Sequence, residues 1–446
     1  MVLRIQILVF LILIFNPLES LGQTTPDSGL DSFNYNHICV DRSALSGVPL
    51  EHLNAEIDSI ITIGIKKNAF PGAQILVAKN GNIIFHKTYG FHTYDSIRPV
   101  QLTDLYDLAS LTKILGPLPI LMKLYEEGKI DLDLPISTYW KPWRTIKDKK
   151  DITLREILAH QAGLTPYIVF LNTVMKKDRI RKRFIRNTSS IHYQKQAYED
   201  LFVRNRFRNK MHRIINRSQV SKDKTYSYSG LAFLIFPDLI QQLTGHSYEY
   251  YLQKHFFLPL GTPSLGFTPK HTSLVNAVIP TEYDDRYRKS LVQGWVHDEN
   301  ASLLGGISGN AGLFGTAHDL HKLMQLYQNY GTLEGERYFS EVTLREFTKV
   351  QYPENKNRRG LGFDKPLLDN RERSLQEAYP APSASMESFG HSGFTGTFVW
   401  ADPVNQLVFI FLSNRVYPTR EHRNLYDLNI RTSLQQLFYS YFIGNE

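Results

Sequence analysis

Apolar and polar positions alternate most cleanly near the two ends of the chain. In "AFPGAQILVAKNGNIIFHKTYGF", two β-branched runs flank Asn80-Gly81, and an Asn-Gly pair between such runs is a strong hairpin signal. The pattern predicts two strands joined by a turn at Lys79-Asn80-Gly81-Asn82. Towards the other end, "TGTFVWADPVNQLVFIFLSNR" repeats the pattern, broken at Asp402-Pro403-Val404-Asn405 by residues that favour turns. Between these ends the apolar residues recur at helical spacing, over residues 110–127, 154–159, 198–215, 230–244, 248–255 and 316–330. Strands at the ends and helices between them predict an α+β unit whose sheet closes from the chain's two ends. No internal repeat or low-complexity linker divides the 446 residues. Residues 50–446 therefore read as one domain, with a helical insertion over about 116–265.

The first residues add a destination. "MVLRIQILVFLILIFNPLESLGQ" has a basic residue at Arg4, an apolar run from Ile7 to Phe15, a break at Asn16-Pro17 and small residues at Ser20 and Gly22. That layout is a secretory signal, and the run is shorter than the ~20 residues a membrane span needs. It predicts a signal over residues 1–22, a polar extension over 23–49, and a periplasmic or secreted product. Cys39 is the sole cysteine, so export brings no internal disulfide framework, and the residue reads as structural or incidental.

Hydrophobic residues make up 42% of the chain and charged residues 21%, a balance that fits a globular protein. The net charge of +8 changes meaning once it is located. Residues 175–213 hold thirteen Lys and Arg against three Asp and Glu, and the rest of the chain is at −2. The excess belongs to one segment, and no nucleic-acid partner is expected. The segment reads as a solvated, helical, basic face, with contact to an anionic envelope surface as the functional alternative.

Candidate chemistry begins at "DLYDLASLTKILG". Ser110 and Lys113 stand three apart in an apolar helical pattern, and positions i and i+3 share a helix face with Cβ atoms about 5–6 Å apart. A serine hydroxyl is a poor nucleophile until a base takes its proton, and a lysine in apolar surroundings can be that base. A second candidate is "KTYSYSGLAFLIF", where Tyr228 precedes Ser229 and Gly230 at the mouth of an apolar helix. A phenol there can move a proton if cations lower its pKa from roughly 10. Third is "FGHSGFTGTFVW": His391, Ser392 and Gly393 open the C-terminal hairpin, and an edge strand of small residues offers backbone N–H groups to a substrate and to a developing oxyanion. His297-Asp298-Glu299-Asn300 reads as a loop bordering the cleft, because no His-x-x-x-His pair accompanies it to make a metal set. His318 and His321 read as a solvated or capped pair on one helix face. No metal and no cofactor is expected. The chain also lacks a Gly-x-Ser-x-Gly elbow and a phosphate-binding loop.

Order and spacing of the three candidates resemble the active-site motifs of the serine β-lactamases and penicillin-binding proteins, in the class C-like branch with D-amino peptidases and esterases. Ser110-Leu-Thr-Lys113 matches the first motif, Tyr228-Ser229-Gly230 the second and His391-Ser392-Gly393 the third. Flanking segments such as "ITLREILAHQAGL" and "GNAGLFGTAHDLHKLM" agree, so the resemblance spans about residues 50–440. It implies the β-lactamase/transpeptidase-like fold, an antiparallel sheet built from both chain ends and packed against a helical region, with the site in the cleft between them. It implies Ser110 as acylated nucleophile, Lys113 as proton acceptor, Tyr228 as the group that protonates the leaving atom, and His391 in the third-motif cation position. The oxyanion hole would be the backbone N–H groups of Ser110 and Phe394. The substrate would be a small molecule or peptide carrying an ester, an amide or a D-amino-acid peptide bond. The second motif usually reads Tyr-x-Asn, and Gly230 in its place keeps open a catalytically silent binding protein and weakens the expectation of β-lactam turnover. Tyr226 is the fallback for the tyrosine role.

Overall fold

A computed structural model describes residues 50–271 and 277–443. The predicted signal, the extension and Cys39 lie outside the described residues. Strands β1 (Gly72–Lys79) and β2 (Asn82–Gly90) form the N-terminal hairpin, with Asn80 at φ 52° and Gly81 at φ 82°. Two positive angles are what a type I′ turn requires. From the other end come β3 (Phe389–Ser392), β4 (Phe398–Asp402) and β5 (Leu407–Ser413). The sheet order is β3-β4-β5-β1-β2. β1 and β5 pair antiparallel from Ala73 with Ser413 to Lys79 with Leu407, so the two ends of the chain meet inside one sheet.

Strict alternation sorts the strand side chains between two cores. Ile75, Val77, Phe398, Trp400, Phe409 and Phe411 face one; Leu76, Val399, Ala401, Val408, Ile410 and Leu412 face the other. Helices α1 (Leu50–Lys66), α2 (Ala317–Gln328) and α3 (Ile430–Phe442) cover these faces. α1 and α3 pack together on the first core through Leu53, Ile57, Leu434 and Phe438. α2 lies on the second with Leu320, Leu323 and Met324. Each large side chain so buried contributes about 1.5–3 kcal/mol. The sheet thus has helices on both faces; the outer pair from the chain ends was absent from the periodicity reading, which placed helices only between the strands.

Other expected helices are shorter or displaced. The run from Ser110 breaks into a tight turn (Ala109–Leu111), a helix (Thr112–Leu115) and a second helix (Pro117–Glu126). Pro117 has no N–H to continue the ladder but suits a first helical position. The helix expected from residue 198 begins only at Phe207. Before it, strands Lys195–Tyr198 and Leu201–Val203 pair across Glu199 and Asp200, with Leu201 and Val203 buried and Phe202 half-buried. An alternation only three residues long is too brief to override the helical pattern that follows it. The insertion is therefore not helical throughout: five short strands lie between residues 175 and 203. The basic face is a patch of small hairpins followed by one helix. Gly230 and Leu231 precede the helical turn at Ala232–Leu234 and the helix Phe236–Thr244. His321 is buried rather than solvated, close enough to His86 on β2 to affect its titration. Among the described residues, no helix is long and apolar enough to cross a membrane.

Candidate active site

Ser110 enters the site on a strained turn. Ala109 before it has φ 45°, a conformation that costs a non-glycine residue about 1–3 kcal/mol and persists only where neighbours enforce it. Asp107 is one such neighbour, its carboxylate accepting the N–H groups of Ala109 (2.8 Å) and His297 (2.6 Å). The loop after β3 is another: Thr395 Oγ1 donates to Asp107 O at 2.7 Å and Thr397 Oγ1 to Leu108 O at 3.2 Å. A Cβ at Gly393 would lie 2.1 Å from Thr397 Oγ1 and 2.7 Å from Leu108 O, so only glycine lets this loop close on the turn. Those contacts bring the segments of Ser110 and Phe394 together. Lys113 is buried, and its Nζ donates to Ser110 Oγ at 2.9 Å and to the Asn310 carbonyl at 3.0 Å.

Tyr228 forms the opposite wall. Its loop is pinned by Ser229, whose hydroxyl donates to Thr165 O (2.7 Å) and whose N–H donates to His160 Nδ1 (3.3 Å). Lys113 Nζ stands 5.3 Å from the centre of the Tyr228 ring, and the His160 ring 4.4 Å from it. Tyr226 is 40% exposed and turns away, its hydroxyl taking a 3.4 Å bond from Arg359 Nε. Geometry therefore places Tyr228, and not the fallback, beside Ser110 and Lys113.

His391 departs from its implied role. Its Nδ1 contacts the Ser392 carbonyl at 2.8 Å, which can only accept, so the proton sits on Nδ1. Burial, then the charges of Arg359 and Lys113, push its pKa down to about 3. It is neutral at ordinary pH and cannot serve as the cation. The charge of this region is Arg359, a residue that sequence reasoning missed. It is 5% exposed, with its guanidinium 5.1 Å from the centre of the Tyr228 ring. Nothing in a single sequence separates it from the other Lys and Arg, 51 in all.

Between the walls lies a cavity of about 410 Å³ whose lining includes Ser110, Lys113, Tyr228, Gly230, Asp298 and Phe394. His297, Asp298 and Glu299 border it, as expected, but the stretch is not all loop: Asp298 caps a short helix, Glu299–Ser302. His391, Ser392 and Gly393 stand behind the lining; Gly393 acts through the closeness of its backbone to the Ser110 turn. Phe394 is 48% exposed, with Arg415 4.5 Å from its ring centre on one contact and the stacked His297 ring at 5.8 Å on another. At Gly230 a Cβ would meet nothing nearer than Asn310 Cβ at 3.9 Å. Asn310 is held by Ser308 Oγ donating to its Oδ1 (2.7 Å) and by its own Nδ2 donating to Asp298 Oδ1 (3.1 Å). Its backbone carbonyl is the one that accepts the bond from Lys113. Among the described residues, no three His, Cys, Asp or Glu side chains group as a metal site.

The chain resembles known proteins along most of its length. The Beta-lactamase family model matches residues 57–432. The chain is 28% identical over 404 residues to a Salmonella typhimurium protein named "Putative D-alanyl-D-alanine carboxypeptidase", with 84% of each chain covered. Among solved structures, a class C β-lactamase aligns with a TM-score of 0.63 at 16% identity, covering 90% of this chain and 99% of the other. EstCE1, a hydrolase with promiscuous acyltransferase activity, aligns with a TM-score of 0.62 at 16% identity, covering 86% and 98%. At that identity the structural likeness speaks for the fold.

Proposed function

The chain belongs to the β-lactamase family of serine hydrolases, and on that footing we propose that it cleaves an ester, amide or D-amino-acid peptide bond through an acyl-enzyme on Ser110. Ser110 Oγ attacks the carbonyl carbon while its proton passes to Lys113. The tetrahedral intermediate collapses, the bond to the leaving group breaks, and that group takes a proton from Tyr228. Water then adds to the acyl ester, giving up its proton to the same pair of side chains, and free Ser110 returns. The observation that carries this reading is the 2.9 Å bond from Lys113 Nζ to Ser110 Oγ in the wall of the cavity that Tyr228 also lines. Gly230 motivates the alternative of a silent binding protein; the bond from Lys113 to the Asn310 carbonyl supports the enzyme reading over it.

The test is hydrolysis of a panel: a p-nitrophenyl ester, a peptide ending in D-Ala-D-Ala and a chromogenic cephalosporin. Turnover of the ester or the peptide, abolished by Ser110→Ala, is the expected result, with the cephalosporin slow. Failure of all three, or turnover that survives Ser110→Ala, contradicts it. We also propose export, on the strength of residues 1–22 alone. A secreted or periplasmic product whose intact mass begins near residue 23 supports it, and a cytoplasmic full-length product contradicts it.

A further inference from the structure

The wall around Tyr228 holds more buried polar groups than its own chemistry needs. Tyr228 Oη, His391 Nε2, His160 Nε2 and Arg359 Nη1 are all buried without a hydrogen-bond partner in the protein. Groups in that state are costly, and these four surround one ring: His160 at 4.4 Å, Arg359 at 5.1 Å and His391 at 6.0 Å from its centre. The two imidazoles have opposite tautomers. His160 accepts the Ser229 N–H on Nδ1 and so carries its proton on Nε2, whereas His391 has a bare Nε2. Both are held neutral, first by burial and then by the cations near them.

Arg359 is the charged member, and its loop ties the two imidazoles together. Asp364 lies 3.5 Å from Arg359 Nε and 2.9 Å from Arg358 Nη1. The Asp364 backbone exchanges both hydrogen bonds with Gly390, the residue before His391. Asn357 Oδ1 accepts the Arg359 N–H at 2.9 Å, and Asn357 Nδ2 donates to the Ala159 carbonyl beside His160 at 2.9 Å. The loop that carries Arg359 is thus held on both sides of the tyrosine, and Asp364 pairs with the guanidinium itself. The groups facing the guanidinium are Tyr226, Tyr228, His160, His391 and Asp364, with Lys113 across the ring.

We propose that Arg359, braced by Asp364, is a positioning residue for Tyr228: its permanent charge stabilises the phenolate left when Tyr228 gives its proton to the departing group. It supplies from a distant loop the charge that position 391 lacks. The proposal rests on Tyr228 as proton donor to the leaving group, and the experiment separates the two.

Matched esters with a p-nitrophenol and an alkyl alcohol as leaving groups provide the readout, because only the alkoxide needs protonation to depart. General acid catalysis contributes roughly 10²–10⁴-fold. Arg359→Met is expected to lower kcat/KM on the alkyl ester by about ten- to a hundredfold and on the p-nitrophenyl ester by less than about fivefold, a fraction of that contribution. Arg359→Lys restores part of the loss, and the alkaline limb of the alkyl-ester pH profile moves upward in Arg359→Met. Retained p-nitrophenyl esterase activity shows that the variant is folded; if Arg359→Met does not fold, Asp364→Asn is expected to give the same selective loss more weakly. Equal losses on both esters, or none, overturn the proposal. If Tyr228→Phe shows the leaving-group selectivity and neither Arg359 nor Asp364 variants do, the proposal alone fails. If Tyr228→Phe lacks it too, the reading of Tyr228 fails with it.

Discussion

On one wall of the cavity, Ser110 and Lys113 lie three residues apart, and Lys113 has found two oxygen acceptors. On the other, Tyr228 is enclosed by His160, Arg359 and His391 from three distant segments, and four polar atoms there have no partner. The first wall is local: one turn of backbone sets the distance between Ser110 and Lys113, and a strained Ala109 immediately precedes the serine. The second is tertiary, and its electrostatics depend on loops meeting correctly. In the proposed mechanism the attack on the carbonyl and the first proton transfer belong to the local turn, and protonation of the leaving group belongs to the buried, polar second wall.

Mutation can break this comparison most sharply on the first wall. Ser110→Ala and Lys113→Ala are each expected to cost roughly 10⁴–10⁶-fold in kcat, and the double variant little more, because groups acting as a unit are not additive. Steady-state rates on the p-nitrophenyl ester check this; additive losses contradict it. The second wall ranks next. Tyr228→Phe should cost about 10²–10⁴-fold on a substrate with a poor leaving group, while Tyr226→Phe, whose hydroxyl meets Arg359 outside the cavity, should change rates only a few-fold. Reversal of that order sinks the assignment of the two tyrosines.

The join between the walls can be probed through Gly393. In Gly393→Ala the added Cβ would press on Thr397 Oγ1 and the Leu108 carbonyl, and overpacking of this kind costs about 1–3 kcal/mol. Urea denaturation should register the loss, with acylation slowed as the Ser110 turn is displaced. Unchanged stability and rate would mean that the loop does not brace the turn.

How much of this was legible in the sequence follows the same division. Both hairpins and the Ser110–Lys113 pair are written in residues a few positions apart, where turn chemistry and helical spacing act directly. Tyr228 was legible as a motif residue but Arg359 was not, because its role comes from a loop carried to the ring by Asn357 and by the Asp364–Gly390 pairing. Asn310 lay within a recognised segment, yet its service to Lys113 through a backbone carbonyl leaves no signature in residue type. His391 misled for a related reason: a histidine reads as a possible cation until its burial beside Arg359 and Lys113 is known. The strands around residues 195–203 were hidden by an adjacent helix with a strong pattern of its own.

A smaller effect concerns stability rather than rate. Burial, then neighbouring His318, holds His86 and His321 each at a pKa of about 4, below the ordinary 6.5. Between those values the unfolded chain binds more protons than the folded one, so stability is complete above about pH 6.5 and falls as pH drops towards about 4. Melting curves across that window should show the slope, and His321→Leu should flatten it; a slope unchanged by that substitution contradicts the assignment.

The central claim is that Ser110 is the acylated nucleophile. Intact-mass analysis after treatment with a fluorophosphonate probe, followed by peptide mapping, tests it most directly. The account predicts one adduct per chain on the peptide containing Ser110, absent in Ser110→Ala and strongly slowed in Lys113→Ala. An adduct on another residue, or one that persists in Ser110→Ala, would contradict it.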